Sequence, residues 1–237
     1  SGARAAINEA LSNDETKDLA DTWYTAGLIG YQELSKENEK TYLGQARDEK
    51  RAGEAVVESF DYWMKAADLA GQKVLDKKGN EVLADKKTYA LLQKKVLEYY
   101  KNQELVKYGI YLNDQRDFAT AYGVFQRHLS IPELSLMQNE KLQKEMPKDS
   151  IYDQYKYYTA IFAIQAEMHP EAIAVLEEMK DGNYEAITVN QFLYQEYVNV
   201  QDTANYVRAL QDAVVRFPQE PWFLQNLIND YILSGQE

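Results

Sequence analysis

The chain has 237 residues, 45% of them hydrophobic and 27% charged, enough apolar content to bury a core and enough charge to keep it hydrated. A formal net charge of −12 disfavours nucleic acid, anionic membrane surfaces and acidic peptides as partners, because each needs clustered Lys and Arg. The absence of cysteine removes disulfides, thiolate metal sites and cysteine nucleophiles; no apolar run approaches the roughly 18 residues of a membrane helix, so no membrane insertion is expected.

Five prolines (Pro132, Pro147, Pro170, Pro218, Pro221) leave long uninterrupted stretches with apolar residues at i, i+3, i+4 and i+7, which predict helices nearly throughout. From the front, "ARAAINEALSND" predicts a helix over 3–12. "TWYTAGLIGY" (22–31) predicts a second and "ESFDYWMKAADL" (58–69) a third, with residues 35–54 read as an insertion between them. "VLDKKGNEVLA" (74–84), with its Lys-Gly-Asn turn, is a weak hairpin candidate. Residues 86–113 fit one helix about 42 Å long at about 1.5 Å rise per residue. Within "YGIYLNDQRDFATAYGVF" (108–125), a helix ends near Asn113, turns over 114–116 and is followed by a second helix carrying Ala121 and Phe125. Residues 130–150 read as a proline-bounded insertion. "YYTAIFAIQAEMHPEAIAVLEEM" (157–179) predicts another helix pair, and Val207, Leu210, Ala213 and Val214 share one face of a later helix.

Small residues recur at fixed places in these pairs. Gly109 and Ala121, Ala160 and Ala172, and Gly27 and Ser59 stand where two antiparallel helices must approach closely, with aromatic neighbours to fill the groove. This pattern resembles the tetratricopeptide repeat, a helix pair of about 34 residues. With Asn102 at position 1, Leu105 falls at position 4, Gly109 at 8, Ala121 at 20 and Phe125 at 24, as the family prefers. The resemblance implies an all-α fold, a right-handed α–α superhelix of antiparallel helix pairs. It implies one solenoid over 1–237, with repeats at about 20–74, 102–135, 153–186 and 187–220. A partial N-terminal helix lies at 3–12 and a partial repeat at 221–237. Tyr194 and Tyr206 depart from the pattern by occupying small positions. Long insertions around such repeats also look like the exported repeat proteins of bacterial envelopes, which implies a periplasmic or cell-envelope setting. "PWFLQNLINDYILSGQE" (221–237) reads as a first helix without its partner, so either further repeats follow or this edge mediates self-association.

Catalytic signals are weak. His128 falls at position 27 on the packing side of its helix and His169 lies beside Pro170; neither belongs to H-x-x-x-H, H-E-x-x-H or G-x-S-x-G spacing. Carboxylate pairs such as Glu177/Glu178 and Asp153/Glu167 are expected on solvated helix faces, since 38 acidic residues produce such pairs by chance. No catalytic residue, metal site or cofactor is therefore expected. In the resembled family the concave groove is lined by positions 2, 5, 9, 12 and 13 of each first helix. Carried onto this chain, those positions give Tyr24, Leu28, Tyr31, Val106, Ile110, Tyr157, Ile161, Gln191, Gln195 and Asn199 as the partner-binding lining. That lining is aromatic and amide with almost no formal charge on a strongly acidic chain, which suits an extended peptide or partner helix. The expected function is a non-catalytic scaffold binding a protein or peptide; the alternative is a carbohydrate- or small-ligand-binding module using the same tyrosines. The family's Lys and Arg clamp for acidic C-termini is missing here.

Overall fold

Aspartates open several of the helices in the computed structural model, which describes residues 2–235. Asp48 accepts from the Arg51 amide at 3.0 Å, Asp85 from Thr88 at 2.9 Å, Asp149 from Ile151 at 3.0 Å and Asp202 from Asn205 at 3.2 Å. Each satisfies an amide that the first turn leaves without an intrahelical partner. The protein is all-α. Twelve α-helices hold most of the described residues, and the β structure among them is one antiparallel hairpin, β1 (Lys73–Leu75) against β2 (Glu81–Leu83). Its turn is fastened by Asp76, which accepts from the amides of Lys78 and Asn80.

The chain divides into two compact units. The first contains α1 (Gly2–Ser12), α2 (Ala20–Tyr42), α3 (Glu49–Ala70), the hairpin, α4 (Lys86–Lys101) and α5 (Glu104–Asp114). It also takes the last turn of α6 (Phe118–Ser130), two 3-10 turns at Ile131–Glu133 and Ser135–Met137, and the short α7 (Glu140–Lys144). Trp63, Phe60, Leu92, Val96, Tyr99 and Leu105 form its interior. Glycine makes this core possible. A methyl group at Gly27 would overlap the Trp63 indole, and one at Gly53 would overlap the Tyr108 ring. The Trp63 Nε1 then donates to the Tyr24 carbonyl at 3.2 Å, so the indole is both packed and satisfied. Helix α1 buries no residue. Arg4 ties it down instead, donating to Glu33 of α2 and Glu58 of α3 at 2.7–3.1 Å.

The second unit takes the start of α6 and then α8 (Ser150–Gln165), α9 (His169–Met179), α10 (Ala186–Asn199), α11 (Thr203–Arg216) and α12 (Pro221–Ser234). From α8 onward each helix packs on the next in sequence, and short connections make neighbours antiparallel. Ala160 and Ala172 are fully buried, and Leu176, Val189 and Leu193 form one core cluster with Ala160. A second cluster joins Leu210, Ala213, Phe223 and Leu227. The Arg216 guanidinium donates to the carbonyls of Lys180, Asp181 and Gly182, closing the turn after α9.

Two sequence expectations are corrected. Residues 35–54 are for the most part helix rather than a stretch separating the two helices: α2 runs on to Tyr42 and α3 starts at Glu49, leaving 43–48 as the connection. No breaker stops α2 before Gly44, and the buried Glu37 fastens the connection by accepting from Lys40 Nζ and the Asp48 amide. Nor do residues 86–113 form one helix. The backbone breaks at Asn102–Gln103, where Gln103 adopts φ 55°, so that α4 and α5 each pack on α3. The helix at 3–12, the hairpin and the proline-bounded segment after 130 occur where the sequence puts them. Residues 236–237 of the partial repeat lie outside the described residues.

Candidate functional site

The residues proposed as a groove lining fall into both units, and their surroundings differ. In the first unit Tyr24 is 8% exposed and Val106 only 2%, so both side chains serve the core and offer almost nothing to a partner. Val106 turns inward because α5 packs on α3 and α4, while Ile110, one turn on, is 52% exposed. Leu28 is half-buried. Tyr31 is half-buried and locked from three sides. Its hydroxyl donates to Glu98 at 2.7 Å, Lys95 Nζ lies 3.6 Å above its ring, and the ring stacks on Tyr99 with centroids 6.1 Å apart. Burial pushes the Tyr24 phenol up, opposed by the nearby Lys95, and raises the Tyr99 phenol strongly.

In the second unit the expected residues gather on α8 and α10. Tyr157 meets Tyr184 at 5.8 Å, Tyr158 at 6.3 Å and Phe192 at 6.4 Å between ring centroids. Desolvation raises the Tyr157 phenol, and Glu185 adds to the shift. Gln154 Nε2 donates to the Tyr158 hydroxyl at 3.2 Å. On the same two helices Ile151, Tyr158 and Ile187 are exposed, the latter two at 40% each. Ile161 and Gln191 are half-buried on the same two helices, while Gln195 and Asn199 are exposed. Gln195 donates to Asn199 at 3.2 Å, and Asn199 donates to Glu196 at 3.0 Å.

Tyr158, Tyr184 and Phe192 are absent from the carried-over positions, yet they complete the aromatic cluster. The i, i+1 pair Tyr157-Tyr158 is visible in sequence, but which ring faces outward depends on how α8 rolls against α9. The second histidine also acquires a role. His169 opens α9 and its Nδ1 lies 2.7 Å from Oε2 of the buried Glu196 on α10, a contact that pins the two helices together. Glu177 likewise has a structural partner, accepting from the Tyr197 hydroxyl at 2.7 Å. Among the described residues no three His, Asp or Glu side chains converge as a metal site would require. No described helix is long and apolar enough to cross a membrane. Comparison with family models, with curated proteins and with solved structures gave no match.

Proposed function

We propose that this chain is a non-catalytic scaffold of tetratricopeptide type, its helix pairs following a right-handed superhelical path, that binds an extended peptide or a partner helix. The repeat reading is supported by the backbone. Arg116, Glu167 and Gln201 each stand at position 15 of the 34-residue register, and each adopts the left-handed conformation, with φ 59°, 57° and 59°. The last two turns share their hydrogen bonds as well: Met168 to Ala163 and Glu167 to Ile164 recur as Asp202 to Tyr197 and Gln201 to Val198. Such agreement one repeat apart is what a duplicated helix-turn-helix requires.

The binding reading rests chiefly on the exposed apolar and amide residues of α8 and α10: Tyr158, which accepts from Gln154, with Ile151 on the same helix and Ile187 on α10. Aromatic rings with amides beside them give large contact area and adaptable hydrogen bonding, the composition that peptide-binding surfaces favour. The test is selection of peptides from a random library against the full chain, followed by titration of the winners. The double variant Tyr158→Ala/Ile187→Ser should lose at least about tenfold in affinity, roughly 1.4 kcal/mol, with helical circular dichroism unchanged. Peptides that bind the variant as tightly as the parent would remove this surface from consideration.

A further inference from the structure

A second feature lies in the first unit, independent of the peptide surface. Where α2 ends and α5 begins, a cleft of about 380 Å³ is lined by Asn38, Thr41, Tyr42, Arg47, Asn102, Glu104 and Lys107. Two of its side chains are held in an unusual state. The Glu104 side chain is 7% exposed and its Oε2 is buried with no hydrogen-bond partner among the described residues; the same is true of Arg47 Nε. Buried polar atoms are almost always paired, and here Arg47 Nε and Glu104 Oε2, with the Tyr99 hydroxyl that Glu104 acts on, are closed off without a partner. The first two belong to residues that line the cleft, so a ligand seated there can supply their partners. Tyr42, at the rim, is 89% exposed, and Leu43 beside it 71%. Large apolar side chains stand so far into water at few other points of this chain.

The charges decide the ligand class. Arg47 is already engaged through Nη1 with Glu49, and Lys107 Nζ lies 3.4 Å from Glu104 Oε1. Both cations of the cleft are therefore compensated, which disfavours a free anion, and the acidic background disfavours it further. What remains is an unpaired N–H, an unpaired carboxylate oxygen, two amides and a hydroxyl. Amides and hydroxyls each donate and accept. A neutral ligand that answers all of these offers donors and acceptors on adjacent atoms, and vicinal hydroxyl groups do so while lying on a ring. An apolar ring face to set against the Tyr42 ring completes the description.

We propose that this cleft binds a neutral saccharide. One sugar hydroxyl accepts from Arg47 Nε, and its neighbour donates to Glu104 Oε2. The amides of Asn38 and Asn102 and the Thr41 hydroxyl take the remaining groups, and the ring packs on Tyr42. Both atoms are closed to solvent without a ligand, so binding requires the Arg47 and Glu104 side chains to shift toward the cleft.

The test is a titration of the full-length ¹⁵N-labelled chain with maltotetraose, cellotetraose, mannotetraose and chitotetraose in turn, with glutamate and inorganic phosphate as controls. The readout is the Arg47 Nε–H resonance, assigned by its loss in Arg47→Lys. At least one tetrasaccharide should shift that resonance with saturation, and Tyr42→Ala, a change at an exposed side chain, should weaken the binding at least tenfold. Glu104→Gln should weaken it as well, with circular dichroism checking that the variant folds. The proposal falls if no tetrasaccharide moves the resonance, or if Tyr42→Ala binds as tightly as the parent. It falls equally if phosphate or glutamate moves the resonance and the sugars do not, which would make the cleft an anion site.

Discussion

His128 is 2% exposed and its ring lies parallel to that of Tyr100, with centroids 4.6 Å apart. Burial pushes its pKa down to about 4 from the ordinary 6.5. The folded chain therefore resists protonation that the unfolded chain accepts. The stability this residue supports is complete above pH 6.5 and is lost as pH falls toward 4. Between pH 7 and pH 5 the loss from this one residue is about 2 kcal/mol. Urea titrations of the parent and of His128→Phe over that window should differ in pH slope by about this amount, the parent falling more steeply; parallel slopes would show that the imidazole does not control the acid limb. Gly27 and Gly53 act at the same scale, since only hydrogen fits beneath Trp63 and Tyr108.

At the scale of elements, the turns after α8 and α10 end in the same way. Glu167 and Gln201 hold the left-handed conformation despite carrying side chains, at a cost of about 1 kcal/mol or more each, and both are exposed. Glycine relieves that strain, partly offset by the greater freedom it gives the unfolded chain. Gln201→Gly and Glu167→Gly should each raise the unfolding free energy by about 0.5–1 kcal/mol, and Gln201→Val should lower it by about 1 kcal/mol or more, read by urea denaturation. Similar gains at both positions are expected because the two turns share one hydrogen-bond pattern. Helix ends and breaks were the harder features to read. The break at Gln103 and the length of α2 follow from which face each helix presents to α3, and local periodicity does not encode that.

Within the second unit, from α8 onward, stacking in sequence order gives each helix neighbours mainly before and after it; in the first, α3 carries α2, α4 and α5 together. Helix α1 packs chiefly on α2 and buries none of its residues, and α12 packs chiefly on α11. Helices α3 and α10 are enclosed by packing on more than one neighbour. Native-state hydrogen exchange should therefore be fastest in α1 and α12 and slowest in α3 and α10, by a factor on the order of 100 or more. Uniform protection along the chain would mean one cooperative block instead. Arg4 links α1 to two helices, yet its guanidinium is partly exposed and such a pair holds a helix end only loosely.

The sequence by itself determined the all-α class and marked the small residues Gly27, Ser59, Gly109, Ala121, Ala160 and Ala172 that prove buried, because periodicity and side-chain volume act within a few turns of the chain. It also marked Tyr157 on one first helix and Gln191 and Gln195 on the first helix of the following repeat as residues of one groove. Tertiary structure decided which of the marked residues are exposed. Tyr24 and Val106 are turned into the core, while Tyr158 and Ile187 are turned out, since a helix can roll about its axis by one residue without changing its own pattern. The cleft between Tyr42, Arg47 and Glu104 is likewise a product of tertiary packing. Its residues come from 38–47 and 102–107, and only the packing of α2, α3 and α5 brings an unpaired guanidinium nitrogen and an unpaired carboxylate oxygen to the same place.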